Sequence, residues 1–463
     1  MSELQLEIAL ETMVNPLKKA LADGRFVFLT ECSVPENVQN LSRAAEKIMP
    51  LAEKMWSLED MHGGVAVLDN AVNGFSPAEL AAAFPESKRN NNIFYLSGRS
   101  RSEDNIQKEL KIAAGTAICN IAAVSGNADG MNLKMCRNTA FCGSVRTLQQ
   151  LREAGCFHPG AVINPFHHHA PTMLATLGNL KNKLNNGAEY IVVQSGWDML
   201  QIQTLSWYML RNRLYTPFLV RLTLLTPEKV EKIQAGAIPG LRFTREFSKM
   251  LEQELCGSNA QFEAAQYRRL ELQAAGARFM GASGVQISGI NYPGKAEIIA
   301  NRLRSALDEF QSFEHWLDEY NRHQACAEML LSRHSFRLFD RVLRRSYPFD
   351  APPQCNDPGP FPMSRKERFA LRLRRWLFAR ADRRQANNNL LLKKLLANCR
   401  SCGNCRLPQH EFVCVETCPK RIEHGPCGGV REDGRCEIGG FECVHVKIMR
   451  FSSNGKRSVY LES

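Results

Sequence analysis

Between residues 25 and 290 the chain alternates short β-branched or apolar runs with longer stretches whose apolar positions recur every three or four residues. A continuous apolar run buries both faces of a strand, whereas the longer period places one stripe of a helix on a core. The alternation therefore predicts parallel strands joined by crossover helices. Eight such runs occur, at 25–31, 64–68, 93–97, 118–125, 160–164, 190–195, 217–222 and 285–290. Turn residues and then a helix follow each, for example over 37–56 and 174–186. Eight repeats specify a closed α/β barrel of the TIM (β/α)8 type more naturally than an open sheet. Reactive side chains in such a barrel converge where strands end and loops begin, and Glu31, Asp69, Asn127, His167 and Gln194 stand at or just past those ends.

Helical periodicity continues over 310–321 and 323–345, then breaks at Pro348, Pro352, Pro353, Pro358, Pro360 and Pro362. At 463 residues the chain exceeds one ordinary core. The pattern divides it into a barrel over 1–312, a helical and Pro-rich linker over 313–390, and a small cysteine-rich metal-binding domain over 391–463. Within the linker, Phe369, Leu373, Trp376 and Leu377 recur at helical spacing with arginines between them, which predicts a basic amphipathic helix over 365–384. Arginine stems covering apolar surface between two domains account for it; docking of a partner or of a membrane surface is the other reading.

Hydrophobic residues make up 44% and charged residues 23%, a composition that supports a sizeable core and excludes a disordered chain. The opening Met1-Ser2-Glu3-Leu4-Gln5 has no basic segment leading into an apolar run, and no stretch of about 18 apolar residues occurs. A cytoplasmic protein without an integral membrane segment is the expectation. The net charge is +12, of which 364–384 carries +7 through nine Arg or Lys against Glu367 and Asp382. That balance permits an acidic partner, an anionic surface or nucleic acid and does not choose among them.

Eight of the sixteen cysteines fall between Cys399 and Cys443. In a large chain without a leader they read as thiols or metal ligands, not disulfides. The run is Cys399-x2-Cys402-x2-Cys405-x8-Cys414-x3-Cys418-Pro419, followed by Cys427, Cys436 and Cys443. Three thiols spaced by two, with a later Cys-Pro, point to iron–sulfur ligation of the 4Fe-4S kind over a two-plus-two zinc ribbon. Two clusters, or one cluster and a zinc, are equally compatible with eight thiolates. The glycines of Gly425-Pro426-Cys427-Gly428-Gly429 let backbone approach such a centre.

The ordered motifs Cys418-Pro419-Lys420, Gly425-Pro426-Cys427-Gly428-Gly429, Gly434-Arg435-Cys436-Glu437 and Glu442-Cys443 resemble the cysteine-rich partner of methylenetetrahydrofolate reductase in anaerobic one-carbon pathways. Over roughly 15–310 the barrel resembles the reductase itself, through Thr30-Glu31, Leu68-Asp69-Asn70, Ser97-Gly98-Arg99-Ser100-Arg101, Ser125-Gly126-Asn127, Gly160–Pro165 in numbers 160–165, Asn179-Leu180-Lys181-Asn182-Lys183, Val192-Val193-Gln194 and Ile238-Pro239-Gly240-Leu241. The resemblance implies a flavin, FAD or FMN, contacted by Tyr95, Asn127, His167, Asn179 and Lys183. It implies a tetrahydrofolate derivative at Gln194 and Asp69, and Glu31 as proton donor. Asn127 stands where the family has an aspartate, Ser125 where it has an arginine, Tyr95 where it has a histidine and Thr176 where it has an aspartate. On the residues alone, Lys183 reads equally as a solvated helix charge, Glu31 as a salt-bridge partner, and His167-His168-His169 as a metal site or loop polarity.

If the resemblance holds, the chain interconverts 5,10-methylene- and 5-methyl-tetrahydrofolate through the flavin, with electrons relayed by the C-terminal iron–sulfur domain from an electron-donor protein or NAD(P)H. No Gly-x-Gly-x-x-Gly opens a helix here, which agrees with a donor other than a nicotinamide. One alternative is a folate-linked methyl-transfer or demethylation partner without flavin chemistry. The other is a zinc-containing interaction module gripping phosphate, disfavoured because a complete barrel is an odd carrier for it; no nucleic-acid partner is expected. A homo-oligomer is compatible with the sequence.

Overall fold

All eight runs become strands that pair in parallel around a closed barrel in chain order: β1 (Val27–Cys32), β2 (His62–Val67), β3 (Ile93–Ser97), β4 (Asn120–Val124), β5 (His158–Ile163), β6 (Tyr190–Val193), β7 (Phe218–Thr223) and β8 (Gly284–Ser288). The computed structural model describes residues 15–33, 40–69, 76–128, 130–238, 240–331, 361–379, 390–431 and 433–453. Side chains alternate along each strand. Val27, Leu29, Ile93, Tyr95, Ala122, Tyr190, Val192 and Leu219 fill the barrel interior. Their neighbours Phe28, Phe94, Ile121, Ile191 and Val220 meet the helical shell. Room inside is scarce: a Cβ on Gly160 would lie 2.2 Å from the Tyr190 ring, so only glycine lets that tyrosine cross the barrel.

The helix Pro16–Ala22 plugs one end. Its Leu17, Ala20 and Leu21 join the interior cluster, its Leu17 amide donates to the Asn90 carbonyl, and Asn15 donates to Asn120 at 2.7 Å. Asn90 and Asn120 stand at the starts of β3 and β4, so the open mouth lies at the strands' C-terminal ends, as the fold requires of a site.

The barrel body extends beyond the boundary expected at 312. Helix Phe313–Gln324 is a packed outer layer and no linker: Trp316 and Tyr320 are fully buried, and the Trp316 indole donates to the Leu272 carbonyl at 2.8 Å. Asn321 then ties down Leu331 through both backbone groups. The helix expected over 323–345 does not continue from it: Gln324 ends the helix, a 3-10 turn spans Ala325–Ala327, and Glu328 takes a left-handed φ of 55°. The rest of that expectation, with the proline breaks up to Pro360, lies outside the described residues, as does the part of the basic helix beyond Phe378 and Ala379. No described helix is long and apolar enough to cross a membrane.

One buried histidine sets an acid limit on this barrel. His158 is 4% exposed, hydrogen-bonded to Asn120 at 2.9 Å and packed on Tyr190. Burial, with Lys18 nearby, lowers its pKa to about 3. Above about pH 6.5 neither the folded nor the unfolded chain protonates it. Below that the unfolded chain takes a proton the folded one refuses, so stability falls as pH falls towards 3. Between pH 7 and 5 this group alone removes about 2 kcal/mol. Urea unfolding followed by circular dichroism at the two pH values should show His158→Gln losing correspondingly less than wild type; an unchanged difference would exclude His158 as a source.

Candidate functional site

At the mouth, a cavity of about 730 Å³ is lined from the barrel by Asp69, Tyr95, Asn127, His167, Asn179, Lys183, Gln194 and Arg221, and from the C-terminal module by Cys427, Glu437 and the backbone around Gly428. The structure thus brings together the expected Asp69, Tyr95, Asn127, His167, Asn179, Lys183 and Gln194. Glu31 stands just beneath them and outside the lining. Its Oε1 accepts from Arg221 Nε at 2.5 Å and from Gln286 at 2.9 Å. Gln194 accepts from the same guanidinium, and Tyr95 donates to Gln286 at 2.8 Å. Burial works against the charge of Arg221, but Glu31 and Tyr95 around it more than offset this and hold it cationic.

Sequence reasoning missed Arg221. The signal was an arginine at an inward position of β7, between Leu219 and Thr223, where the alternation calls for an apolar group.

Asp69 is tied down as well as lining the cavity. It pairs with Arg101, accepts from the Ser97 amide at 2.7 Å, and has a side chain only 1% exposed. The pair pins the loop after β3, so that Arg99 reaches Asn127 at 2.7 Å on the exposed rim. Burial raises the Asp69 pKa in spite of Arg101.

The three consecutive histidines diverge. His167 is buried, lowered to about 4 by burial and by the neighbouring His168 and His169, and its Nδ1 has no partner. It faces the main cavity and a second one of about 220 Å³ that it shares with Asn164, Gly240 and Glu437. His168 stands 3.9 Å from Asp198, and His169 bonds Thr172 at 2.8 Å.

The module is seated on this mouth through residues 420–437. Lys420 donates to the Gly126 carbonyl at 2.8 Å and pairs with Glu437. Asn179 donates to the Pro426 carbonyl at 3.0 Å and Asn182 to the His424 carbonyl at 3.2 Å. Helix Val444–Ser452 packs along helix Ala170–Asn185. Lys183 is buried, bonds the Val162 carbonyl at 2.6 Å, and is lowered to about 8 by burial although Cys427 opposes the shift. It is therefore an interior group and not a solvated helix charge.

The eight cysteines separate into two sets, a division the spacing left open. Cys399, Cys402, Cys405 and Cys414 line one small cavity, and Cys418, Cys427, Cys436 and Cys443 line another. The Cys-Pro cysteine, Cys418, joins the second set, four residues from Cys414 of the first. Four residues span at most about 14 Å of chain, and the 3-10 turn Val415–Thr417 between them shortens that. Burial pushes Cys418 up to about 12 and raises Cys427, Cys436 and Cys443, so these thiols hold their protons until a cation arrives to compete. Among the described residues no group of three or more His, Cys, Asp or Glu is gathered as for a single metal ion.

Residues 378–462 match a family model described as methylene-tetrahydrofolate reductase C terminal. The module is thus similar to that reductase C terminus. No curated protein matches the chain. Among solved structures, a protein from Clostridium thermocellum described as binding two copies of 5-methyl-5,6,7,8-tetrahydrofolic acid aligns at 14% identity and a TM-score of 0.44, covering 64% of this chain and 99% of its own. A putative dihydrodipicolinate synthetase from Pseudomonas aeruginosa aligns at 10% identity and a TM-score of 0.35, covering 65% of this chain and 83% of its own. The reductase-type module and the barrel mouth share a wall: Cys427 and Glu437 line both the mouth cavity and the second four-cysteine cavity.

Proposed function

We propose that this chain is a methylenetetrahydrofolate reductase-like oxidoreductase that binds a reduced folate in the barrel mouth and exchanges electrons through iron–sulfur centres in its C-terminal module. The shared wall at Cys427 carries the reading, because a centre held by the second cysteine set sits at the edge of the cavity that takes the substrate. Four thiols around a small cavity are the donor set of a four-iron cluster, which when bound supplies one electron at a time. Two such sets, no more than a short turn apart, form a relay from outside to inside.

A flavin fits the mouth in part. His167 Nδ1 and Asn179 Oδ1 are buried there without partners and suit the polar edge of a flat ring. Lys183 and the Asn179 amide, by contrast, are engaged by Val162 and Pro426. A flavin bound at His167 and Asn179 would supply a hydride to the methylene carbon of the substrate.

The net change adds two electrons and two protons: a hydrogen joins the methylene carbon, its bond to N10 breaks, and N10 takes a proton. Glu31 is the acid we assign to that proton, reached past Arg221. Arg221, clamped between Glu31 and Gln194, positions a carbonyl or carboxylate of the substrate. Glu31→Gln should keep iron and any flavin spectrum at wild-type levels and lower folate turnover about 10²-fold or more; undiminished turnover would remove Glu31 from the role. Anaerobic purification with an absorption spectrum and iron, zinc and flavin analysis tests the whole reading, which colourless protein holding only zinc would overturn.

The engagement of Asn179 and Lys183 favours one second reading, folate-linked methyl transfer without flavin chemistry. Protein that binds methylated folate yet carries no flavin spectrum would select it.

A further inference from the structure

Two helices of the C-terminal part present a surface that folate chemistry does not use. On helix Arg365–Phe378, Leu371 and Phe378 are buried, Arg374 reaches the Phe412 carbonyl, and Glu367 holds Arg450. The opposite face carries Arg365, Arg368, Phe369, Arg372 and Trp376 at spacings of three and four, with Phe369 70% and Trp376 79% exposed. Helix Leu390–Ala397 packs beside it and is turned inside out: Lys393 is buried, while Leu391 and Leu395 are 83% and 77% exposed with Lys394 between them. No exposed position on either described helix is acidic. Arginine stems covering an interface between domains do not explain this face, since its aromatic groups stand in water at the cost of their burial energy.

The face adjoins the first cysteine set. Helix Leu390–Ala397 leads directly to Cys399, whose amide donates to the Lys393 carbonyl. Helix Arg365–Phe378 packs on Leu407–His410, and Arg375 pairs with Glu411 at 2.5 Å, both within the stretch between Cys405 and Cys414. Cys402 of that set is exposed, whereas the second set abuts the barrel mouth. The first set is thus the outer terminus of the relay.

We infer that this face docks a small acidic electron-carrier protein, which delivers single electrons to the outer cysteine set. The inference rests on the preceding reading of that set as a redox centre. Arginine and tryptophan are the side chains that dominate binding energy at protein interfaces, and a basic face steers an acidic partner by long-range attraction. Electron-transfer encounters are small and transient, which two short helices satisfy. No bond is made or broken: the carrier is oxidised by one electron, the outer centre is reduced by one, and two encounters supply one folate reduction.

The test uses the full chain, purified without oxygen, and a strongly acidic ferredoxin as probe. Wild type should bind it at low ionic strength with an affinity that falls at least about tenfold as salt is raised. Arg368→Glu with Arg372→Glu, and separately Trp376→Ala, should each weaken binding about tenfold or more while leaving iron content, thermal unfolding and folate turnover with a reduced viologen unchanged. Absent binding, equal binding by the variants, or attachment to phosphatidylglycerol vesicles in place of ferredoxin would each overturn the inference. Loss of viologen-driven turnover in wild type would instead sink the functional reading, so the two failures are separable.

Discussion

Protein carrying Cys427→Ser is expected to hold about half the iron of wild type and to lose folate turnover by about 10²-fold or more. Cys427 is the member of the inner set that also walls the mouth cavity, so on the proposed reading its loss acts on the centre and on the mouth together. A serine hydroxyl fills nearly the same space but is a hard, protonated oxygen where a soft thiolate is needed. Cys402→Ser provides the contrast. It too should lower iron by about half, since it belongs to the other set, yet its side chain is exposed and not part of the mouth lining, so binding of folate should be kept. Iron counting and folate titration on the two variants distinguish two four-thiol centres from one centre and one zinc. Full iron and full turnover in Cys427→Ser would show that the inner set holds nothing the reaction uses.

The second large effect is expected from Gly425→Val, which changes no ligand and no acid. Gly425 adopts φ of +129°, and a Cβ there would lie 2.4 Å from the Asn179 side chain, so any larger residue is strained and also collides. The collision falls where Asn179 and Asn182 hold the carbonyls of Pro426 and His424. The module should therefore shift off the mouth while the barrel, whose packing does not involve Gly425, stays folded. A displacement of about 1 Å is enough to cost about 10²-fold in a reaction that depends on alignment. Turnover should fall accordingly, and the released stretch 424–426 should become open to limited proteolysis, with iron content maintained. Wild-type turnover in this variant would mean that the docking of 424–426 on Asn179 and Asn182 is not part of the working geometry.

Much of the candidate site was legible because its signals are local. Asp69, Asn127, His167 and Gln194 were found by asking which polar side chains follow a strand, and all four line the mouth. The eight cysteines announced themselves by spacing. Arg221 escaped because nothing near it in the chain explains a buried arginine: its partner Glu31 is 190 residues away. Glu437 escaped for the same reason, since its place in the mouth depends on the module folding back over the loop after β4, where the Ala128 amide meets it 309 residues distant. The basic helix was expected to cover apolar surface with arginine; that Phe369 and Trp376 face water could be known only once the packed face was seen to be the one bearing Leu371 and Phe378.

The sequence by itself determined the barrel and the cysteine module, because strand and helix periods and ligand spacing are set by neighbours a few residues apart. Tertiary structure alone decided that four thiols go to each of two cavities, that one of those cavities opens on the barrel mouth, and that Arg221 bridges Glu31 and Gln194. Such pairings join residues hundreds of positions apart, and they are settled by which surfaces can be buried together, a condition no local pattern encodes.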